Sequence, residues 1–273
     1  MTNLNDAPIG VFDSGIGGLT VLNALRQALP QESFVYLADT ARIPYGTKSR
    51  EAVIQYAQQI CRQFIRHHRI KALVIACNTA SAHALTTLQQ EFTDIPVLGV
   101  IIPSAMAAVN VTRNRHIAVI ATEGTVRSKA YEEAITALNK SIWVSSQACQ
   151  LLVSLVEEGW LEDDITDSII QRYLKPLFSG DNTPDTLVLG CTHFPLLKPR
   201  IENYLGKSVS VVDSASNVAK EAFSLLEQRQ LLSTVHSKPT QFLVTDSPQR
   251  FIATASIFLG ESLDESRVQH ISV

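Results

Sequence analysis

Along this chain, short continuous apolar runs alternate with longer stretches in which apolar residues recur every three or four positions. The runs cover residues 9–12, 34–38, 73–76, 96–100, 117–121, 142–145, 187–190, 209–212 and 241–244. Unbroken hydrophobicity of this kind marks strands covered on both faces of a sheet. The stretches between them read as amphipathic helices. One follows Lys48 and sets Val53, Tyr56, Ala57, Ile60, Cys61, Phe64 and Ile65 on one face. Another carries Ile165, Ile169, Ile170, Tyr173, Leu174 and Leu177. It opens with Glu162, Asp163 and Asp164, acids that suit the positive end of a helix. A third places Cys149 beside Leu152, Val153 and Val156. Cys61 and Cys149 share these stripes and read as core thiols. Strands alternating with helices predict an α/β protein with mainly parallel sheets.

Within this pattern one unit occurs twice. Leu73-Val74-Ile75-Ala76-Cys77-Asn78-Thr79 and Leu187-Val188-Leu189-Gly190-Cys191-Thr192-His193 each carry a strand into a cysteine and then into small polar residues. A fainter echo links Ile9-Gly10-Val11-Phe12-Asp13-Ser14-Gly15 with Ile117-Ala118-Val119-Ile120-Ala121-Thr122-Glu123-Gly124 at nearly the same interval. The repetition predicts two related α/β lobes. Their C-terminal strand ends, where such folds bind ligands, would face one another across a cleft. No Gly/Ser-rich linker is visible, so the lobes are expected to be tightly joined.

Composition narrows the setting. The chain has 273 residues, 45% of them hydrophobic and 18% charged, and a net charge of −3. That is an ordinary globular balance with no basic field for nucleic acid, so none is expected as a partner. The one basic run, Arg66-His67-His68-Arg69-Ile70-Lys71, falls where the helix after Lys48 should end and is expected to complement its dipole. No apolar run approaches the roughly 18–20 residues that span a bilayer, and no membrane partner is expected. Residues 1–8 are polar and do not resemble a secretion signal, and the four cysteines form no CxxC pair. Reduced thiols in a cytoplasmic setting are the expectation.

Several constellations suggest chemistry. A thiol at a strand end entering a helix N-terminus is expected to have a lowered pKa. The backbone N–H groups there hold anions. Cys77 with Asn78 and Thr79, and Cys191 with Thr192 and His193, each offer a base and a carboxylate cradle. Two sulfur bases flanking one carbon suit the movement of a proton between its faces. The plain alternative is two unrelated buried cysteines, which the duplicated context disfavours. Asp13-Ser14-Gly15-Ile16-Gly17-Gly18 joins an acid to exposed backbone donors. A dinucleotide fingerprint competes there, but Thr20 stands where its third glycine belongs. Arg42-Ile43-Pro44-Tyr45-Gly46 reads as a turn able to lend N–H groups and a phenol to a pocket. Cys77, Cys191 and His193 lack the short spacing of a zinc site. A Cys–His hydrolase pair would leave Cys77 without a task. Glu157-Glu158-Gly159 reads, from the residues alone, as a solvated helix end.

Together these segments resemble the glutamate racemases of the cofactor-independent aspartate/glutamate racemase superfamily. The resemblance is carried by residues 11–19, 38–46, 76–80 and 189–197, with Val212-Asp213-Ser214-Ala215 matching a later block. It implies two pseudo-symmetric lobes, the first comprising residues 1–98 and 212–273 and the second residues 99–211. It implies glutamate in the cleft, no cofactor, no metal, and a homodimer. It assigns proton removal from D-glutamate to Cys77 and from L-glutamate to Cys191. Asp13 and His193 are helpers of the thiols, and Glu157 is the further acid, with Glu158 as the alternative. Asp13, Ser14, Tyr45, Gly46, Asn78, Thr79, Thr192 and His193 are carried over as substrate contacts, joined by Thr122 and Thr125. The role implied is supply of D-glutamate to peptidoglycan. The alternatives are a racemase for aspartate or another amino acid, and a non-catalytic binding protein for an acidic amino acid.

Overall fold

A computed structural model describes residues 4–235 and 237–273. Its strands are β1 (Ile9–Asp13), β2 (Phe34–Ala38), β3 (Ala72–Ile75), β4 (Val97–Gly99), β5 (His116–Ala121), β6 (Trp143–Ala148), β7 (Thr186–Gly190), β8 (Ser210–Asp213), β9 (Gln241–Val244) and β10 (Val268–His270). They form two sheets, ordered β10-β9-β2-β1-β3-β4 and β6-β5-β7-β8. Every pairing is parallel. The order β2-β1-β3-β4 recurs in the second sheet as β6-β5-β7-β8, so the repeated sequence unit corresponds to a repeated topology. Cys77 follows β3 and Cys191 follows β7, its equivalent.

Burial explains the apolar runs. β1, β2, β3, β5 and β7 are buried at every position, as expected with helices on both faces. One continuous apolar core includes Val11 and Val74 of the first sheet with Ala118 and Leu187 of the second. It also takes in the helices Leu19–Ala28, Ser214–Gln228 and Pro248–Leu259. The two sheets are thus tied by shared packing rather than by a linker.

Three expectations need correction. The helix after Lys48 runs over Arg50–Gln63 and then widens into a π turn, Phe64–His68, which leaves Ile65 exposed rather than on the buried stripe. Of the basic run, Arg66, His67 and His68 stand in the last turn as expected, but Lys71 does not belong to the helix end. Lys71 lies beyond it at the entry to β3, fully buried, paired with Glu32 at 2.5 Å and donating to the Leu231 carbonyl at 2.8 Å. Ile165, in the first turn of the helix Asp164–Leu174, is 52% exposed, while Ile170 and Leu174 pack inward. Asp163 caps that helix through the Ile165 N–H at 2.7 Å. Cys61 and Cys149 are buried, Cys149 immediately before the helix Gln150–Glu157. Among the described residues, no helix is long and apolar enough to cross a membrane.

Candidate active site

Cys77 lies two residues beyond β3 and caps the helix Asn78–Glu91, its sulfur accepting the Ala80 N–H at 3.4 Å. Its thiol also lies 3.5 Å from the Ser14 hydroxyl. The expected lowering of its pKa is not found. Burial pushes the Cys77 thiol up to about 12, and the Asp13 charge adds to this, against the Ser14 and Ala80 donors. A helix N-terminus cannot compensate the removal of water on this scale. Asp13, at the end of β1, is itself fully buried. One carboxylate oxygen accepts the Gly15 N–H at 3.0 Å, and the other has no partner. Burial raises its pKa, opposed by the positive charge of His193.

Cys191 follows β7 and leads into a short 3₁₀ turn, Phe194–Leu197, so it does not cap an α-helix as Cys77 does. Its partner is electrostatic. His193 Nδ1 lies 3.8 Å from the Cys191 sulfur, and Nε2 lies 3.0 Å from Glu157 Oε1. Burial opposes protonation of this imidazole. The hydrogen bonds and charges of Cys191 and Glu157 nonetheless raise its pKa to about 10. Burial raises the Glu157 carboxyl in turn, but His193 outweighs it, and the net shift is downward. Glu158 is exposed, so Glu157 is the acid at the site. The two thiols therefore stand in unlike surroundings, one beside a hydroxyl and a buried carboxyl, the other beside an imidazole–carboxylate pair.

Close approach packs the turn after β1 against the Cys191 loop. A Cβ on Gly17 would fall 2.5 Å from His193 Nδ1 and collide with the Thr192 hydroxyl. Only a glycine lets this turn pack against the Cys191 loop. Thr20, which breaks the dinucleotide fingerprint, donates to the Thr192 carbonyl at 3.0 Å and secures the same contact. On the other side, a Cβ on Gly124 would fall 2.8 Å from the Gly46 carbonyl.

Between the loops lies a cavity of about 250 Å³. Ser14, Tyr45, Gly46, Cys77, Asn78, Thr79, Thr122, Glu157, Cys191, Thr192 and His193 all line it. Asp13 and Thr125 do not reach its wall. Asp13 stands behind Ser14 and Gly15. Thr125 stands behind Thr79 and Thr122, whose hydroxyls it meets at 3.1 and 3.0 Å. Tyr45 presents no free phenol, because its hydroxyl donates to Asp39 at 2.5 Å. Asp39 also accepts from Thr245 at 2.9 Å and so anchors the Tyr45 loop to the end of β9. Gln150 and Ser154 line the cavity without having been singled out in the sequence, and Val153, read there as part of a core stripe, lines it too. The side-chain carbonyl of Gln150 is buried and unpartnered, as is the amide nitrogen of Asn78. Both residues line the same cavity, and unpaired polar atoms on such residues are groups that a polar ligand would satisfy. Among the described residues, no cluster of His, Cys, Asp and Glu forms a metal site.

The Asp/Glu/Hydantoin racemase family model matches residues 9–222, from β1 through the Cys191 loop and beyond. The chain belongs to the Asp/Glu/hydantoin racemase family. Among its curated relatives, a glutamate racemase of Neisseria meningitidis is 48% identical over 259 residues, 94% of each chain. Two solved structures share the fold over 98% of both chains at 38% identity. A glutamate racemase isoform from Bacillus anthracis superposes with a TM-score of 0.92. A Francisella tularensis glutamate racemase in complex with D-glutamate superposes with a TM-score of 0.90. Both duplicated thiols, Cys77 and Cys191, lie within the matched span and line the one cavity.

Proposed function

We propose that this protein interconverts L- and D-glutamate by a two-base mechanism in which Cys77 and Cys191 act on opposite faces of the α-carbon. The observation that carries the reading is that both sulfurs line one small cavity together with unpaired amide groups and hydroxyls. One sulfur, as thiolate, takes the Cα proton. The other, as thiol, gives its S–H proton to the opposite face. One C–H bond breaks, one forms, and no electrons are transferred. Cys77 serves D-glutamate and Cys191 serves L-glutamate, and each turnover exchanges their protonation states.

The unlike surroundings of the thiols support this exchange. Near Cys191, the protonated His193 sets positive charge 3.8 Å from the sulfur. Near Cys77, the Ser14 hydroxyl and the Ala80 N–H are placed to stabilise negative sulfur, and substrate binding brings the cationic ammonium group into the same cavity. Asn78, Thr79, Thr122 and Thr192 offer donors to the carboxylates. A gain of about 10⁶ over the uncatalysed reaction corresponds to about 8 kcal/mol, so these donors must act where charge develops. The two lobes, one built on each sheet, are read as the halves of the cleft, their limits falling after β4 and after β8 rather than at residues 98 and 211, and their closure would exclude water.

The product fits a role in supplying D-glutamate for peptidoglycan in the cytoplasm, and a homodimer is the assembly we propose. The test uses metal-free protein with L-glutamate in D₂O. The expected result is α-deuterated glutamate and decay of optical rotation, with Cys77→Ser lowering the rate by about 10²–10⁴-fold. A binding protein would give neither signal. Racemisation of aspartate in preference to glutamate would move the substrate assignment.

A further inference from the structure

We infer that Tyr131 is a positioning residue for substrate binding, acting through the side chain of Asn78. The inference rests on the reading above, that the cavity binds glutamate. Tyr131 lies in the helix Ala130–Leu138, outside the residues that line the cavity, and is buried. Its hydroxyl donates to the side-chain carbonyl of Asn78 at 2.7 Å. The bond engages the Asn78 carbonyl and leaves the amide nitrogen as the free end of this side chain. With the carbonyl engaged, the amide nitrogen is left buried, unpartnered and part of a residue on the cavity wall. An N–H donor there suits a carboxylate. The reversed amide would present a carbonyl oxygen and repel one.

Tyr131 also touches the second thiol's strand. Its hydroxyl lies 3.3 Å from the Ser214 hydroxyl, which donates to the Leu189 carbonyl in β7. Gly190, directly before Cys191, leaves room for the ring, since a Cβ there would sit 3.0 Å from Tyr131 Cε2. The side chain thus spans from the residue after Cys77 to the residue before Cys191, neither of which is near it in sequence.

The experiment compares steady-state kinetics of the parent protein, Tyr131→Phe, Asn78→Ala and the double variant. The phenylalanine ring keeps the packing against Gly190 and removes only the hydroxyl. Loss of one oriented hydrogen bond predicts a rise of about tenfold in KM for both enantiomers of glutamate. A contact made equally in ground and transition states leaves kcat nearly unchanged, and that retained kcat also reports an intact fold. In the Asn78→Ala background, Tyr131→Phe should add nothing to KM. An unchanged KM in the single variant, a fall in kcat with KM held, or a second full loss in the double variant overturns the inference. A parent protein that does not racemise glutamate overturns the reading beneath it as well.

Discussion

His193 stands between a thiol and a carboxylate, and its raised pKa makes its charge a source of stability. Folding holds the proton more tightly than the unfolded chain does. The contribution is therefore complete below pH 6.5, the ordinary imidazole value, and is lost as pH rises through about 10. His193→Gln is expected to lower the melting temperature most at or below pH 6.5, with the pH-dependent part of the difference vanishing near pH 10. Melting curves across that window check it, and a difference that does not vary with pH contradicts it. At this scale the sequence was partly legible. Cys77 and Cys191 stood out because their surroundings are duplicated. Gln150 did not, because a glutamine opening a helix looks like any solvated residue. Tyr131 was equally hidden, since its contact with Asn78 joins residues 53 positions apart. The state of the Cys77 thiol was misjudged because a local motif does not reveal how completely water is excluded around it.

Among the elements, the glycine turn after β1 is the most demanding. Gly17→Ala would push against Thr192 and His193, on the loop that carries Cys191. A displacement near 1 Å at a reacting group can cost about 10²-fold. We expect kcat/KM to fall by about that factor while the far-ultraviolet circular dichroism is retained. An alanine variant with parental kcat/KM would show that the close approach is not needed. Most strands were legible because they are continuous apolar runs flanked by breaks, whereas β6, with Ser145, Ser146 and Gln147 in a partly exposed strand, was found only over its first residues. β10 escaped notice, being three residues at a sheet edge with exposed Gln269 and His270. Ile65 and Ile165 were assigned to buried faces by spacing alone. A π turn rotates the first outward, and the second lies in a solvated first turn.

At the scale of the molecule, two sheets of matching strand order deliver equivalent strand ends to one cavity. The internal echo in the sequence made this pairing legible, whereas the closeness of the two cysteine loops had to come from the fold. The central claim is that two different sulfurs serve the two faces of one carbon. The direct measurement is the deuterium content of both enantiomers at early times, starting from L-glutamate in D₂O and read by mass spectrometry after chiral separation. Two separate bases predict D-glutamate that is deuterated at Cα while the remaining L-glutamate is still almost wholly protiated. Deuterium entering the L-glutamate pool as fast as it enters the product would mean that one base serves both faces, and would contradict the account.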